Sequence, residues 1–133
     1  MKIGKRKKIM IVEDELLTVE LIRQILTDRG YNVVSAVSSG EEALRELSNN
    51  KSDLVLMDIM IKGRTDGISL TKIINERYDI PVIYLTAYAD DNTIERARQT
   101  ESYGYILKPF GESELISSIE IALYKHTLDR RLR

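Results

Sequence analysis

No cysteine occurs anywhere in the 133 residues. That absence excludes a disulfide scaffold, a thiolate metal site and a cysteine nucleophile, and it fits a reducing compartment. Glycine (7) and proline (2) are scarce, which excludes a collagen-like chain and, beside 43% hydrophobic residues, argues against disorder. Long apolar runs are also missing. The longest spans only about four residues, far below the roughly 20 that a membrane span needs. A basic start, MKIGKRKK, precedes the first of them, but that run stops at Glu13-Asp14-Glu15, which is not a signal-peptide pattern. A single cytoplasmic domain over residues 1–133 is expected, too short for two separate cores and without a membrane contact.

What is present is unevenly charged. The net charge is −1, but residues 1–8 carry Lys2, Lys5, Arg6, Lys7 and Lys8 with no acid. Residues 124–133 carry Lys125, Arg130, Arg131 and Arg133 against Asp129, which leaves 11 basic and 20 acidic residues in 9–123. A body this acidic argues against direct nucleic-acid binding, where phosphate neutralisation dominates. The basic ends, including the tail 1–7, read as solvated segments or junctions.

Short apolar runs alternate with longer amphipathic stretches five times. The runs Lys8–Val12, Tyr31–Val37, Leu54–Met57, Pro81–Leu85 and Tyr103–Leu107 have strand character. Between them, Leu16, Leu17, Val19, Leu21, Ile22, Ile25 and Leu26 recur at helical spacing up to Gly30, a usual residue just past a helix end. Ser38-Ser39-Gly40-Glu41-Glu42 supplies a capping serine and first-turn acids for a second helix; Ile68–Tyr78, Asp90–Gln99 and Glu112 onward supply three more. Five strands alternating with five helices specify a parallel sheet covered on both faces, a doubly wound α/β three-layer sandwich. The core spans about 8–125 and the last helix about 112–133, with Ile116, Ile119 and Leu123 toward the sheet. Ile121, Leu128 and Leu132 form a second, heptad-like stripe on it, suited to a homodimer or to a fused sensor or output module.

In such a sheet ligands bind beyond the carboxyl ends of the strands. Glu13 and Asp14 follow the first strand, Asp58 the third, Thr86 the fourth and Lys108 the fifth. Three carboxylates brought together repel unless a cation neutralises them, and an oxygen-only set selects a hard cation such as Mg²⁺. A carboxylate can also take up a phosphoryl group as an aspartyl phosphate. A metal, an ammonium and a hydroxyl can neutralise the oxygens of the transferred group.

Ile9-Met10-Ile11-Val12-Glu13-Asp14-Glu15, Leu54-Val55-Leu56-Met57-Asp58, Tyr84-Leu85-Thr86-Ala87 and Gly104-Tyr105-Ile106-Leu107-Lys108-Pro109-Phe110, in this order and spacing, strongly resemble the receiver domain of two-component response regulators. The resemblance covers about residues 8–125. It implies a flavodoxin-like sheet of order 2-1-3-4-5 and a phosphorelay function. Asp58 would be the phosphoacceptor, Asp14 a direct Mg²⁺ ligand, Glu13 a ligand directly or through water, and the backbone carbonyl of Met60 a further ligand. Thr86 would donate its hydroxyl to the phosphoryl group, Lys108 would pair with it, and Tyr105 would be the switch aromatic acting with Thr86. Lys108–Pro109 matches the peptide that is usually cis. The partner implied is a sensor histidine kinase or a phosphotransfer protein, and the domain is a signalling switch rather than an enzyme.

Two positions depart from the usual family pattern. The segment 59–66 has no proline and one extra residue before Asp66-Gly67, and Glu13 stands where aspartate is commoner. Other functions fit less well. An aspartate-nucleophile phosphatase of the common type wants a second acid where Met60 stands, a P-loop is absent, and Glu13-Asp14-Glu15 would repel the phosphate of a flavin. A binding module without phosphotransfer would not need Asp58, Asp14, Thr86 and Lys108 together. Met60 and Tyr88, two residues past Asp58 and Thr86, are bulky and cannot orient a water, so the phosphoryl group is expected to be lost slowly, while the small Ala87 leaves its entry open.

Overall fold

The computed structural model describes residues 6–61, 63, 65–87 and 90–132. Strands β1 (Lys8–Val12), β2 (Asn32–Val37), β3 (Leu54–Asp58), β4 (Val82–Thr86) and β5 (Gly104–Leu107) alternate with helices α1 (Leu16–Asp28), α2 (Gly40–Asn49), α3 (Gly67–Arg77), α4 (Asp91–Arg98) and α5 (Glu112–Arg131). All strands pair in parallel, in the order β2-β1-β3-β4-β5. This is the doubly wound, flavodoxin-like arrangement expected from the sequence.

Apolar residues on the central strands alternate between two cores because successive side chains leave a strand on opposite faces. Ile9, Ile11, Leu54, Leu56, Ile83 and Leu85 face α1 and α5, whereas Met10, Val12, Val55, Met57, Val82 and Tyr84 face α2, α3 and α4. Both faces of β1, β3 and β4 are covered, so these strands read as unbroken apolar runs. Pro81 falls just outside β4, not at its first position as expected. Its carbonyl still accepts the Val55 amide at 3.0 Å, which extends the ladder from a residue that cannot donate.

Side chains cap three helices. Ser39 accepts from the Glu42 amide at 3.2 Å, Asp66 from Ser69 at 2.8 Å and Asp90 from Thr93 at 2.9 Å. Along α1 the periodic residues divide: Val19, Ile22, Ile25 and Leu26 are buried, but Leu16 and Leu17 are 75% and 81% exposed. The inner stripe was already filled without them, so the outer leucines face solvent. Helix α5 is 20 residues long, about 30 Å, and packs through Leu115, Ile116, Ile119 and Ala122, with Leu123 partly buried. Its far end is tied to the base of the sheet. His126 Nε2 lies 2.9 Å and Arg130 Nε 3.3 Å from the Asp79 carboxylate, and the Tyr103 hydroxyl donates to Asp129 at 2.5 Å. Ile121, Leu128 and Leu132 are exposed, as the second stripe anticipated, and Tyr124 extends it. Among the described residues no helix is long and apolar enough to cross a membrane.

Candidate functional site

Ladder hydrogen bonds set the carboxyl edge of the sheet. Val12 pairs with Met57 and Asp58 with Leu85, while the Glu13 amide donates to the Val37 carbonyl at 2.9 Å. Glu13 and Asp58 therefore leave adjacent strands at nearly the same level. On the other side the Lys108 amide donates to the Thr86 carbonyl at 2.9 Å, one step past the Thr86–Leu107 pair. The Lys108–Pro109 peptide is cis, as the resemblance implies.

Lys108 reaches back across the edge to both acids. Its Nζ lies 2.7 Å from Glu13 Oε1 and 3.2 Å from Asp58 Oδ2. Each carboxylate has a second, local donor: Glu13 Oε2 accepts the Glu15 amide at 3.0 Å, and Asp58 Oδ1 accepts the Met60 amide at 2.9 Å. Asp58 is only 5% exposed. Ligand oxygens of Glu13, Asp14 and Asp58 all lie within 4.8 Å of one another. This cluster is oxygen-only, compact and open to solvent at Asp14, which is half-buried. It suits a hard divalent cation that keeps part of its water shell.

Electrostatics follow the burial. Burial pushes the Glu13 carboxyl up, the Lys108 hydrogen bond pulls it back, and neighbouring Asp58 pushes it up again, to about 7. Burial works against the Lys108 ammonium, but its hydrogen bond to Glu13 and the charges of Asp58 and Glu13 outweigh that and hold its pKa above the ordinary value.

The other expected residues take up distinct places. Thr86 is fully buried at the end of β4, beside the acidic edge. Tyr105 is half-buried on β5, edge-on to Tyr84, with ring centroids 6.4 Å apart. Met60 is 54% exposed, and its amide stays on Asp58 although the segment 59–66 carries an extra residue. Tyr88, the other half of the expectation about phosphoryl lifetime, lies outside the described residues, as do Lys62 and Arg64.

Two structural contributors were not singled out from sequence. A Cβ on Gly67 would sit 2.1 Å from the Asp58 carbonyl oxygen, so α3 starts hard against the backbone of the acidic strand end. The Asp66-Gly67 pair was legible only as a loop marker. The grip of Lys108 on Glu13 was likewise not anticipated; the signal was Glu13 itself, one methylene longer than the usual aspartate.

The family profile of the response regulator receiver domain matches residues 9–120. The transcriptional regulatory protein PdtaR of Mycobacterium tuberculosis is 35% identical over 117 residues, which are 88% of this chain and 57% of that protein. The chain thus spans about half the length of the curated relatives it matches. A signal receiver domain of a modulated diguanylate cyclase from Desulfovibrio desulfuricans superposes with a TM-score of 0.88 at 33% identity, covering 93% of this chain and 98% of that one. The receiver domain of a sensor histidine kinase from Pseudomonas aeruginosa, with a magnesium ion coordinated in its active-site cleft, superposes at 0.80 with 30% identity, over 89% and 98%.

Proposed function

Because this chain belongs to the response regulator receiver family of two-component systems, we propose that Asp58 accepts a phosphoryl group from a phosphohistidine donor. The observation that carries this reading is the Asp58 carboxylate, buried at a strand end between the acidic pair Glu13–Asp14 and the ammonium of Lys108. In the transfer an Asp58 oxygen bonds to phosphorus as the phosphorus–nitrogen bond of the donor breaks, and the histidine nitrogen leaves with its electron pair. The Met60 amide holds Oδ1, which orients the carboxylate for attack. Lys108, already directed at Oδ2, neutralises charge on the incoming group. Thr86 donates its hydroxyl to the phosphoryl group, and Tyr105 moves with it as the switch. Asp14 and Asp58, with Glu13 directly or through water and the Met60 carbonyl, would hold Mg²⁺. That ion would supply neutralisation of the equatorial oxygens.

The domain is a signalling element rather than a conventional enzyme. Its proposed donor is a sensor histidine kinase or phosphotransfer protein in the cytoplasm. A neighbouring module or a second copy would attach through α5. The test uses phosphoramidate as a small phosphorus–nitrogen donor. Intact-mass measurement is expected to show one phosphoryl group gained with Mg²⁺, none with EDTA and none in Asp58→Asn. Labelling that persists in EDTA would contradict the mechanism.

A further inference from the structure

Among the described residues Tyr84 is the largest of the fully buried side chains. An aromatic hydroxyl at that depth needs a partner, and Thr100, just past α4, supplies it at 2.7 Å. The next link fixes the direction. Thr100 Oγ1 donates its only proton to the Ala97 carbonyl, 2.6 Å away, so the proton between Tyr84 and Thr100 comes from Tyr84. A continuous path thus runs from the core of β4 into the last turn of α4.

That helix has little else to hold it. Among its eight residues only Ala97 is buried, so apolar contact contributes little. Polar links do the positioning: Arg96 to Asp66 at 2.9 Å, and the paired contacts between Asn75 and Glu101 at 3.1 and 2.9 Å. The Tyr84–Thr100 bond is part-buried, whereas the others of this set are exposed.

Tyr84 also borders the site. It stands two residues before Thr86, on the same face of β4, and is the register partner of Tyr105. The two rings meet edge to face at 66°. One side chain therefore touches Tyr105 with its ring, while its hydroxyl meets Thr100 just past α4 and also Thr71 of α3, whose own proton goes to the Gly67 carbonyl.

We infer that Tyr84 is a positioning residue of the switch: its hydroxyl latches the end of α4 through Thr100, and its ring is the wall against which Tyr105 turns. The inference rests on the phosphoacceptor reading above. A turn of Tyr105 toward Thr86 changes the wall contact, shifts the Tyr84 ring and weakens the latch. Phosphorylation at Asp58 and release of α4 then become two ends of one population shift.

Hydrogen–deuterium exchange of the full chain, with and without beryllofluoride and Mg²⁺, tests this in the native protein, Tyr84→Phe, Thr100→Val and Thr100→Ser. Phenylalanine keeps the ring and leaves Thr100 donating to Ala97, so no buried donor is orphaned. In Tyr84→Phe and Thr100→Val the ligand-free amides of 91–100 should exchange about two- to tenfold faster, the effect of one neutral hydrogen bond. Amides of β4 and β5 should be unchanged, beryllofluoride should add little further in α4, and Thr100→Ser should behave like the native chain. Acceleration shared equally by the strands would overturn the latch, because Tyr84 would then be core packing alone. A native response to beryllofluoride with unaltered α4 exchange in Tyr84→Phe would also overturn it. No native response to beryllofluoride would overturn the coupling together with the phosphoacceptor reading.

Discussion

Glu13 carries the sharpest electrostatic consequence at the scale of single residues. Its carboxyl stays protonated up to about pH 7 in the ligand-free fold, against 4.5 ordinarily. Below 4.5 it is neutral folded and unfolded, so it has no effect on stability. Between about 4.5 and 7 the unfolded chain releases a proton that the fold retains, so stability falls as pH rises and then levels off. Thermal melts without metal should therefore decline over that window, and Glu13→Gln should flatten the decline. Equal slopes in the two proteins would refute the assignment. Addition of Mg²⁺ should raise the native midpoint more at pH 8 than at pH 5, because the ion compensates charge present only at the higher pH. Gly67 marks a steric limit in the same region. Gly67→Ala should cost at least about 1–3 kcal/mol by denaturant unfolding, since its Cβ meets backbone that cannot rotate away. An unchanged midpoint would mean that α3 shifts freely. The required chemical groups Glu13, Asp14, Asp58, Thr86 and Lys108 were legible in the sequence because each lies within two residues of the end of an apolar run. Their mutual hydrogen bonds were not, since the reach of Lys108 to Glu13 depends on the β4–β5 register and on side-chain direction.

Among the elements, α5 differs most between its two ends. Its first half is sheet packing, and its second half is pinned at Asp79 while presenting Ile121, Tyr124, Leu128 and Leu132 outward. Glu120 and Lys125 flank this stripe at positions that can pair across a parallel two-helix contact. The expected result is concentration-dependent dimerisation in light scattering, abolished by Leu128→Lys with the circular dichroism spectrum retained. A native monomer at high concentration would refute self-association through α5. Helix periodicity made both stripes of α5 visible, yet the same reasoning could not say which leucines of α1 point inward. A 3.6-residue repeat gives a face, and neighbouring elements decide which apolar residues find a place on it. Leu16 and Leu17 were left outside by Val19 and Ile22, which fill the contact with the sheet.

For the molecule as a whole, a parallel sheet brings groups spread from Glu13 to Lys108 to one edge, while the end of α5 is pinned at Asp79, near the opposite one. Alternation of strands and helices was legible from periodicity. The strand order was not, because buried strands look alike; it came with the resemblance carried by the strand-end motifs, and the β2-β1-β3-β4-β5 sheet agrees with it. Of the three clustered carboxylates, Asp58 alone is proposed to take the phosphoryl group. Treatment with acetyl phosphate and Mg²⁺, followed by peptide mapping in a mass spectrometer, tests it directly. Modification should fall on the peptide containing Asp58 and on neither Glu13 nor Asp14. Equal modification of Glu13 or Asp14, or full labelling of Asp58→Asn at another carboxylate, would contradict it.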